Sequence, residues 1–171
     1  MAVVDQAFRG KRALVTGSTS GIGLGIARAL ARQGCNLTLN GFGDPGEIGL
    51  LCKELADNNN VEVTHSDADM RDPGQIEAMI KGAEARLGGL DILVNNAGGP
   101  PPGQFADWDR DDWIKALDAN MLTPIALMKA LLPGMMEKGW GRVVNITSLS
   151  VKAPIPVLGL SNSARAGLTG Y

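Results

Sequence analysis

The chain has 171 residues, of which 44% are hydrophobic and 20% charged, a composition that predicts one globular domain over residues 1–171. Its net charge of -2 supplies no basic surface for a phosphate backbone, and three Phe and one Tyr offer few platforms for stacked bases, so we expect no nucleic-acid partner. No segment approaches roughly 18 uninterrupted apolar residues, and the N-terminal MAVVDQAFRG has neither a basic region nor a long apolar run. We therefore expect a cytoplasmic protein without a membrane span.

Two cysteines, Cys35 and Cys52, are separated along the chain, and His65 is the only histidine. Neither a metal cluster nor a disulfide framework follows from so few metal-binding side chains, and no metal is expected. The sequence predicts that both cysteines are small core residues.

Short apolar runs alternate with amphipathic helical patterns along the chain. This alternation is typical of strand-helix-strand units on a parallel sheet, and it predicts a Rossmann-type, doubly wound α/β fold with about five strands. The predicted strands are RALVT (12–16), NLTLN (36–40), VEVTH (61–65), LDILVN (90–95) and GRVVNIT (141–147).

The helical segments each have one apolar face for the sheet. Ile22, Ile26 and Leu30 recur at helical spacing in the first of them. The longest is predicted over residues 109–138, and Pro124 inside it removes one backbone donor, so we expect a bend near Asn120.

The stretch TGSTSGIG (16–23) directly follows the first predicted strand and opens the first helix. Gly17 permits a sharp exit from the strand, Gly21 lets backbone approach a ligand, and Gly23 allows the helix to pack closely on the sheet. Exposed N–H groups and the positive end of the helix attract a diphosphate. The spacing differs from that of a triphosphate-binding loop, so the stretch predicts a dinucleotide site.

The end of the second strand bears on the choice of cofactor, because an acid there holds a ribose 2′-hydroxyl and a base accepts a 2′-phosphate. The segment NGFGDPGE (40–47) contains two acids and no base. NAD is therefore favoured over NADP.

Together, TGSTSGIG, NNAG (95–98), Asn120 and NITS (145–148) resemble the short-chain dehydrogenase/reductase family over essentially the whole chain. The first half is most similar to bacterial 3-hydroxybutyrate dehydrogenases. The second half, with NNAGGPPPGQF and LSNSARAGLTGY, is similar to an atypical branch related to 3-oxoacyl-carrier-protein reductases. Members of the family continue beyond the position of Tyr171, so we expect the chain to be truncated at its C-terminus relative to them, with an exposed edge at the fifth strand.

The resemblance implies a role for individual positions. Asn40 would face the adenine ribose, Asn120 would hold a water molecule in the bend of the long helix, and Ser148 would hydrogen-bond the substrate carbonyl. The residues implied to bind the rest of the cofactor are Gly17, Thr19, Gly21, Ile22 and Gly23 at the diphosphate, Asp69 and Met70 at the adenine, and Asn96, Ala97 and Gly98 at the second ribose.

Ser161 and Arg165 occupy the positions at which the family has a catalytic Tyr and Lys. A Ser hydroxyl is too weak an acid to replace a phenol with a pKa of about 10, but Arg is a permanent donor of several hydrogen bonds. We therefore expect Arg165, with Ser148 and Ser161, to form an electrophilic pocket, while a water molecule near Asn120 supplies the proton. A catalytically silent nucleotide-binding domain and a self-associating fragment are the alternatives.

The sequence constrains the identity of the substrate less than that of the cofactor. The positions that bind a carboxylate in 3-hydroxybutyrate dehydrogenases are occupied here by Pro100, Ser150 and Leu158. An uncharged or acyl-type carbonyl compound, or the matching alcohol, is therefore expected rather than a short hydroxy acid. The resemblance also implies a homo-oligomer.

Overall fold

The computed structural model describes residues 6–171, and the first five residues of the N-terminal stretch discussed above lie outside that range. Strands and helices alternate from β1 to β5, and a sixth helix follows the last strand. The strands are β1 (Arg12–Val15), β2 (Asn36–Asn40), β3 (Val63–Ser66), β4 (Ile92–Asn95) and β5 (Arg142–Asn145). The helices are α1 (Gly21–Arg32), α2 (Pro45–Asn59), α3 (Pro73–Leu87), α4 (Arg110–Leu117), α5 (Thr123–Glu137) and α6 (Gly159–Gly170).

The five strands form one parallel sheet in the order β3-β2-β1-β4-β5. In the register of the central strands, Ala13 lies opposite Leu37 on one side and Ile92 on the other. Helices cover both faces, which explains why the central strands are continuous apolar runs rather than alternating ones. The predicted doubly wound α/β fold is confirmed.

Successive residues of β1 point into two separate hydrophobic clusters. Ala13 and Val15 pack on the side of α1 and α2, whereas Leu14 packs on the side of α3, α5 and α6. The period of two along a strand produces this division. Cys35 lies in the first cluster, where burial raises the pKa of its thiol to about 12, and Cys52 packs against the same cluster.

The long helix predicted over 109–138 is divided into two helices. Between α4 and α5, residues Asp118–Leu122 form a turn of π-helix, in which the Thr123 N–H donates to the Asp118 carbonyl. Pro124 lies in the first turn of α5. The expected bend is thus present at Asn120, and it takes the form of a π segment because Pro124 has no N–H to continue the α-helical ladder.

Strand β5 lies at one edge of the sheet, and Arg142 and Val144 on it are exposed. The prediction of an exposed edge at the fifth strand is therefore confirmed for the described residues. Among those residues no helix combines the length and the apolar character needed to cross a bilayer.

An ion pair joins β1 to β4 at the amino end of the sheet. The Arg12 guanidinium donates to both carboxylate oxygens of Asp91, at 2.7 Å from Nε to Oδ2 and 2.8 Å from Nη2 to Oδ1. The Asp91 side chain is only 6% exposed. Burial by itself raises the pKa of Asp91, but the hydrogen bonds and charge of Arg12 outweigh it, so this pKa lies below its usual value.

Replacing Asp91 with Asn should lower the free energy of unfolding at neutral pH by about 2 kcal/mol, because the partly buried Arg12 guanidinium loses its counter-charge. Since the folded-state pKa of Asp91 is depressed, its contribution is complete above the unfolded pKa of about 3.9 and is lost as the pH falls through the folded value. Urea unfolding at several pH values measures both effects. Asp57→Asn, in the exposed pair with Lys53, is the control and should change stability much less than Asp91→Asn.

Candidate functional site

The loops that follow the strands meet at the carboxyl edge of the sheet, which is where open parallel α/β sheets bind ligands. The loop after β1 passes between the loops after β2 and β4, because β1 pairs with both of these strands. The residues predicted to bind a cofactor follow β1, β2, β3 and β4, and most of those predicted to be catalytic follow β4 and β5.

The loop between β1 and α1 and the first turn of α1 have no room for side chains at Gly17 and at Gly23. A Cβ atom on Gly23 would collide with the carbonyl oxygen of Gly17 and lie 2.8 Å from Nδ2 of Asn96. Gly21, in contrast, has a φ of +56° and no atom within 4 Å of the Cβ position, so its backbone faces open space. Gly23 is thus required for packing, and Gly21 leaves a surface that a ligand can approach.

The N-terminus of α1 is free of side-chain caps. Helices α2, α3 and α4 are preceded by the N-cap residues Asp44, Asp72 and Asp109, whose carboxylates accept hydrogen bonds from backbone N–H groups of the first turn. The N-cap residue of α1, Ser20, makes no side-chain hydrogen bond to the helix, and the first turn of α1 has no acidic residue. Its first N–H groups and its positive dipole end are therefore available to an anion.

Asn96 holds the loop after β4 to the TGSTSGIG stretch (16–23), which we call the glycine loop. Its Nδ2 donates to the carbonyl oxygens of Thr16 and Gly17 at 3.2 Å and 3.0 Å. The Thr16 hydroxyl donates to the Asn96 carbonyl at 2.9 Å and accepts from the Asn96 N–H at the same distance. Asn96 therefore shapes the glycine loop, while the neighbouring Ala97 and Gly98 are exposed.

Asn40, at the end of β2, is 2% exposed. Its Nδ2 donates to the carbonyl oxygens of Ser66 and Ala68 at 3.2 Å and 3.0 Å, which ties β2 to the segment after β3. Thr19 of the glycine loop donates to the Phe42 carbonyl at 3.0 Å. Asn40 is thus committed to backbone contacts in this structure, and its contact with an adenine ribose stays a prediction.

The Asp69 carboxylate forms a bidentate ion pair with Arg71, with 2.7 Å between Arg71 Nη2 and Asp69 Oδ2. Hydrogen bonds from the Arg71 side chain and backbone lower the pKa of Asp69 to about 2. The next residue, Met70, packs against the core, and its carbonyl accepts from the Thr123 hydroxyl at 2.7 Å. Both residues predicted to contact adenine thus have contacts within the protein in this structure.

Arg165 is 8% exposed and lies between the carboxyl ends of β4 and β5. Its Nη1 donates to the Ile146 carbonyl at 2.6 Å and its Nη2 to the Ala97 carbonyl at 3.1 Å. Burial lowers the pKa of Arg165, yet a guanidinium keeps its proton in proteins. The side chain thus joins the two strand ends and places a positive charge there, with no carboxylate within ion-pair distance among the described residues.

A cavity of about 30 Å³ connects Arg165 with Asn120 and Asn95. Both asparagines are 4% exposed, and the Oδ1 atoms of both have no hydrogen-bond partner among the described residues. The volume is sufficient for one water molecule, and two acceptors beside a cation are suitable partners for it. The structure thus brings Asn120 and Arg165 together around one polar cavity.

The two predicted serines do not line this cavity. Ser148 accepts a hydrogen bond from the Ser150 N–H at 3.2 Å at the start of a turn of 3₁₀-helix. Ser161 is 6% exposed on α6. Among the described residues, no hydrogen bond joins the side chains of Asn120, Ser148, Ser161 and Arg165 to one another.

Asn95 is a site residue that sequence reasoning missed. Its Nδ2 donates to Oδ1 of Asn145 at 2.8 Å, and the two residues are register partners at the ends of β4 and β5. The available signal was an Asn at or near the end of two predicted apolar strands, which the sheet places side by side. Such a pair predicts a polar contact at the ligand-binding edge.

Gly23→Ala should destabilise the chain by about 2 kcal/mol and impair diphosphate binding, because the added methyl group meets the Gly17 carbonyl. Gly25→Ala is the matched control in the same helix, where no atom lies within 4 Å of the Cβ position, and it should be neutral or stabilising by up to about 1 kcal/mol. Chemical denaturation and titration with ADP measure the two effects. Equal behaviour of the two variants would contradict the close approach described here.

Comparisons with known proteins agree with this arrangement. The family described as short chain dehydrogenase matches residues 11–171. The chain is 40% identical over 160 residues to D-beta-hydroxybutyrate dehydrogenase of Rhizobium meliloti, covering 94% of the chain and 62% of that protein. It is 32% identical over 161 residues to ketoacyl reductase HetN of Nostoc sp., covering 93% of the chain and 55% of that protein.

Among solved structures, L-sorbose reductase from Gluconobacter frateurii, complexed with NADPH and L-sorbose, matches with a TM-score of 0.90 and 28% identity. The match covers 97% of this chain and 63% of that one. The chain therefore spans less than two thirds of the length of these relatives. The matched family and the fold together show that the chain belongs to the short-chain dehydrogenase/reductase family.

Proposed function

We propose that the chain carries the dinucleotide-binding part of an oxidoreductase that interconverts a carbonyl group and a secondary alcohol with NAD. The observation that carries this proposal is the uncapped N-terminus of α1 behind an open glycine loop. Backbone N–H groups without a side-chain cap, together with the helix dipole, form a site suited to a diphosphate. Family membership supports the same chemistry, since its members named above are dehydrogenases and reductases.

The residues present fit a nicotinamide dinucleotide. The site residues proposed to hold it are Gly17, Thr19, Gly21, Ile22 and Gly23 at the diphosphate, Asn40, Asp69 and Met70 at the adenosine, and Asn96, Ala97 and Gly98 at the second ribose. When bound, NAD accepts a hydride and NADH supplies one. Gly21 and Ile22 are exposed at the mouth of the glycine loop, in keeping with this role.

Charge supports NAD over NADP in this proposal. The loop that follows β2 has acidic side chains at Asp44 and Glu47 and no Arg or Lys between residues 40 and 47. A ribose 2′-phosphate there would have no cation to pair with, whereas a 2′-hydroxyl needs none. The L-sorbose reductase structure named above is a complex with NADPH. The preference for NAD over NADP is proposed from the residues of this chain alone.

Arg165 would stabilise negative charge that develops on the substrate oxygen during reduction. Its guanidinium is buried, its partners are carbonyl oxygens, and its charge is therefore not neutralised locally. The hydroxyls of Ser148 and Ser161 are proposed to donate to the same oxygen. A water molecule in the cavity between Asn95 and Asn120 would give the proton, and solvent would replace it.

A catalytically silent nucleotide-binding domain is the second candidate. It is favoured by the hydrogen bonds of Arg165, which join two strand ends, and by the bond that the Ser148 hydroxyl accepts from the backbone. In that case Arg165 serves only to hold β4 to β5. The two candidates share the nucleotide site and differ in turnover.

The homo-oligomeric state, the cytoplasmic location and a small-molecule carbonyl or alcohol as substrate stay predictions.

Isothermal titration should show that NADH binds at least about tenfold more tightly than NADPH, the difference expected when a phosphate lacks a charge-assisted partner. Phe42→Arg adds a cation to the loop after β2 and should narrow this difference, while NADH affinity should change little. Tighter binding of NADPH to the parent chain would contradict the proposed preference.

Replacing Arg165 with Met should lower kcat for ketone reduction by about 100-fold, the typical loss when one donor to a developing oxyanion is removed. NADH affinity, measured separately, should stay within a few fold. The combined Arg165→Lys and Ser161→Tyr variant restores the residues usual in the family. An inactive parent and an active double variant would contradict the role of Arg165 and favour the silent domain.

A further inference from the structure

The buried side chain of Thr123 joins two elements that lie far apart along the chain. Thr123 is the first residue of α5, directly after the π segment Asp118–Leu122, and it is 7% exposed. Its Oγ1 atom donates to the Met70 carbonyl oxygen at 2.7 Å. A Thr hydroxyl in a helix commonly bonds to a carbonyl oxygen one turn earlier in the same helix. The hydroxyl of Thr123 is instead committed to the loop between β3 and α3.

This bond connects two parts of the proposed site. Residues 67–72, which we call the adenine loop, include Met70, and Asn120 lies in the π segment three residues before Thr123. Among the described residues, no other hydrogen bond joins the adenine loop to residues 109–137. The position of the adenine loop relative to Asn120 therefore depends on one hydroxyl and on the packing around it.

Met70 and Thr123 also form a wall between two spaces. Both residues line the cavity of about 30 Å³ that contains Asn120 and Arg165, and both line a groove of about 430 Å³ between α3 and α5. While the hydroxyl is bonded to the carbonyl, neither group needs a water molecule. Without the hydroxyl, the carbonyl would lose its donor, and water from the groove would be the available replacement.

A weaker electrostatic contact runs in parallel with the hydrogen bond. Asp118, the first residue of the π segment, and Arg71, the residue after Met70, line the same groove. The pKa of Arg71 lies above its ordinary value mainly because of its hydrogen bonds to Asp69, and the charge of Asp118 adds to this effect. Because Arg71 is exposed, solvent and salt screen the attraction. The buried hydroxyl is thus the stronger of the two connections.

We propose that Thr123 is a positioning residue that holds the adenine loop in its cofactor-binding conformation and links that loop to Asn120. The inference rests on the proposed function, because it requires that adenosine binds at this loop. A protein that populates its competent conformation only in part binds a ligand more weakly by that fraction. Loss of the hydroxyl should therefore weaken an adenosine ligand and spare a ligand that contacts the glycine loop alone.

Isothermal titration of the full-chain variant Thr123→Val tests the positioning role, since valine keeps the shape of the side chain and removes the hydroxyl. The probes are ADP, which would contact both loops, and inorganic pyrophosphate, which would contact only the glycine loop. The ADP dissociation constant should rise about fivefold, as expected for one lost neutral hydrogen bond, and that of pyrophosphate should change by less than about twofold. Thr123→Ser retains the hydroxyl and should bind ADP as the parent does. Thr123→Ala removes it in a smaller side chain and should behave like Thr123→Val, so the test does not depend on one variant folding.

Thr38→Val is the matched control. Thr38 is 2% exposed, and its hydroxyl shares a hydrogen bond of 2.9 Å with the Thr64 hydroxyl between β2 and β3. The control thus also loses a buried hydroxyl bond, but one that does not contact the adenine loop. Thermal unfolding should show destabilisation of both valine variants, whereas only Thr123→Val should lose affinity for ADP.

NMR of the Asn120 side-chain N–H groups tests the link to the π segment. ADP lacks the nicotinamide half of the cofactor, so we expect its influence on Asn120 to pass through the protein. Saturating ADP should shift the Asn120 signals in the parent and in Thr123→Ser, and much less in Thr123→Val. Equal shifts in the parent and Thr123→Val would contradict the link.

Three titration results would overturn the positioning role: unchanged ADP binding in Thr123→Val, an equal loss for ADP and pyrophosphate, or an equal loss in Thr38→Val or Thr123→Ser. A parent chain that does not bind ADP would contradict the proposed nucleotide site itself and this inference with it. The parent measurement therefore distinguishes failure of the proposed function from failure of the role of Thr123.

Discussion

The close approach of α1 to the end of β1 is the constraint on which the candidate site depends. Gly23 lies so near the Gly17 carbonyl that no side chain fits between them, and Asn96 fills the remaining space with two hydrogen bonds to the loop. The first N–H groups of α1 have no side-chain cap, and no atom lies within 4 Å of the Cβ position of Gly21. The energetic consequence is a set of unsatisfied donors at a positive helix end, which a bound diphosphate would stabilise.

The opposite side of the carboxyl edge is organised by a buried cation. Arg165 joins β4 to β5 through two carbonyl oxygens, and no acid neutralises it among the described residues. Carbonyl partners offset part of the desolvation cost of a guanidinium while preserving its net charge, which is the property that a site for a developing oxyanion requires. The orphan oxygens of Asn95 and Asn120 beside it add a place for water. The chemistry proposed for Arg165 would thus be combined in one side chain with its structural role of joining the two strand ends.

The apolar runs and the glycine spacing predicted all five strands, the glycine loop and the bend near Asn120, since these depend on local periodicity and on backbone donors missing at Pro124. Predicted β3 began two residues early, because Val61 and Glu62 precede the ladder with β2. The form of the bend, a π segment, was beyond sequence reasoning, since it arises from competition among hydrogen bonds in a packed helix. The role of Asn40 in joining β2 to the next loop was missed for a similar reason: its acceptors lie more than twenty residues away along the chain.

The sequence by itself determined the fold class, the position of the diphosphate loop and the family resemblance. Each of these depends on local periodicity or on short motifs of residues that are neighbours along the chain. Only the tertiary structure decided which side chains meet at the carboxyl edge. The pairing of Asn95 with Asn145 and the carbonyl partners of Arg165 both join separate elements. The physical reason is that strand order and helix packing bring distant residues together, and a linear pattern carries no distances between elements.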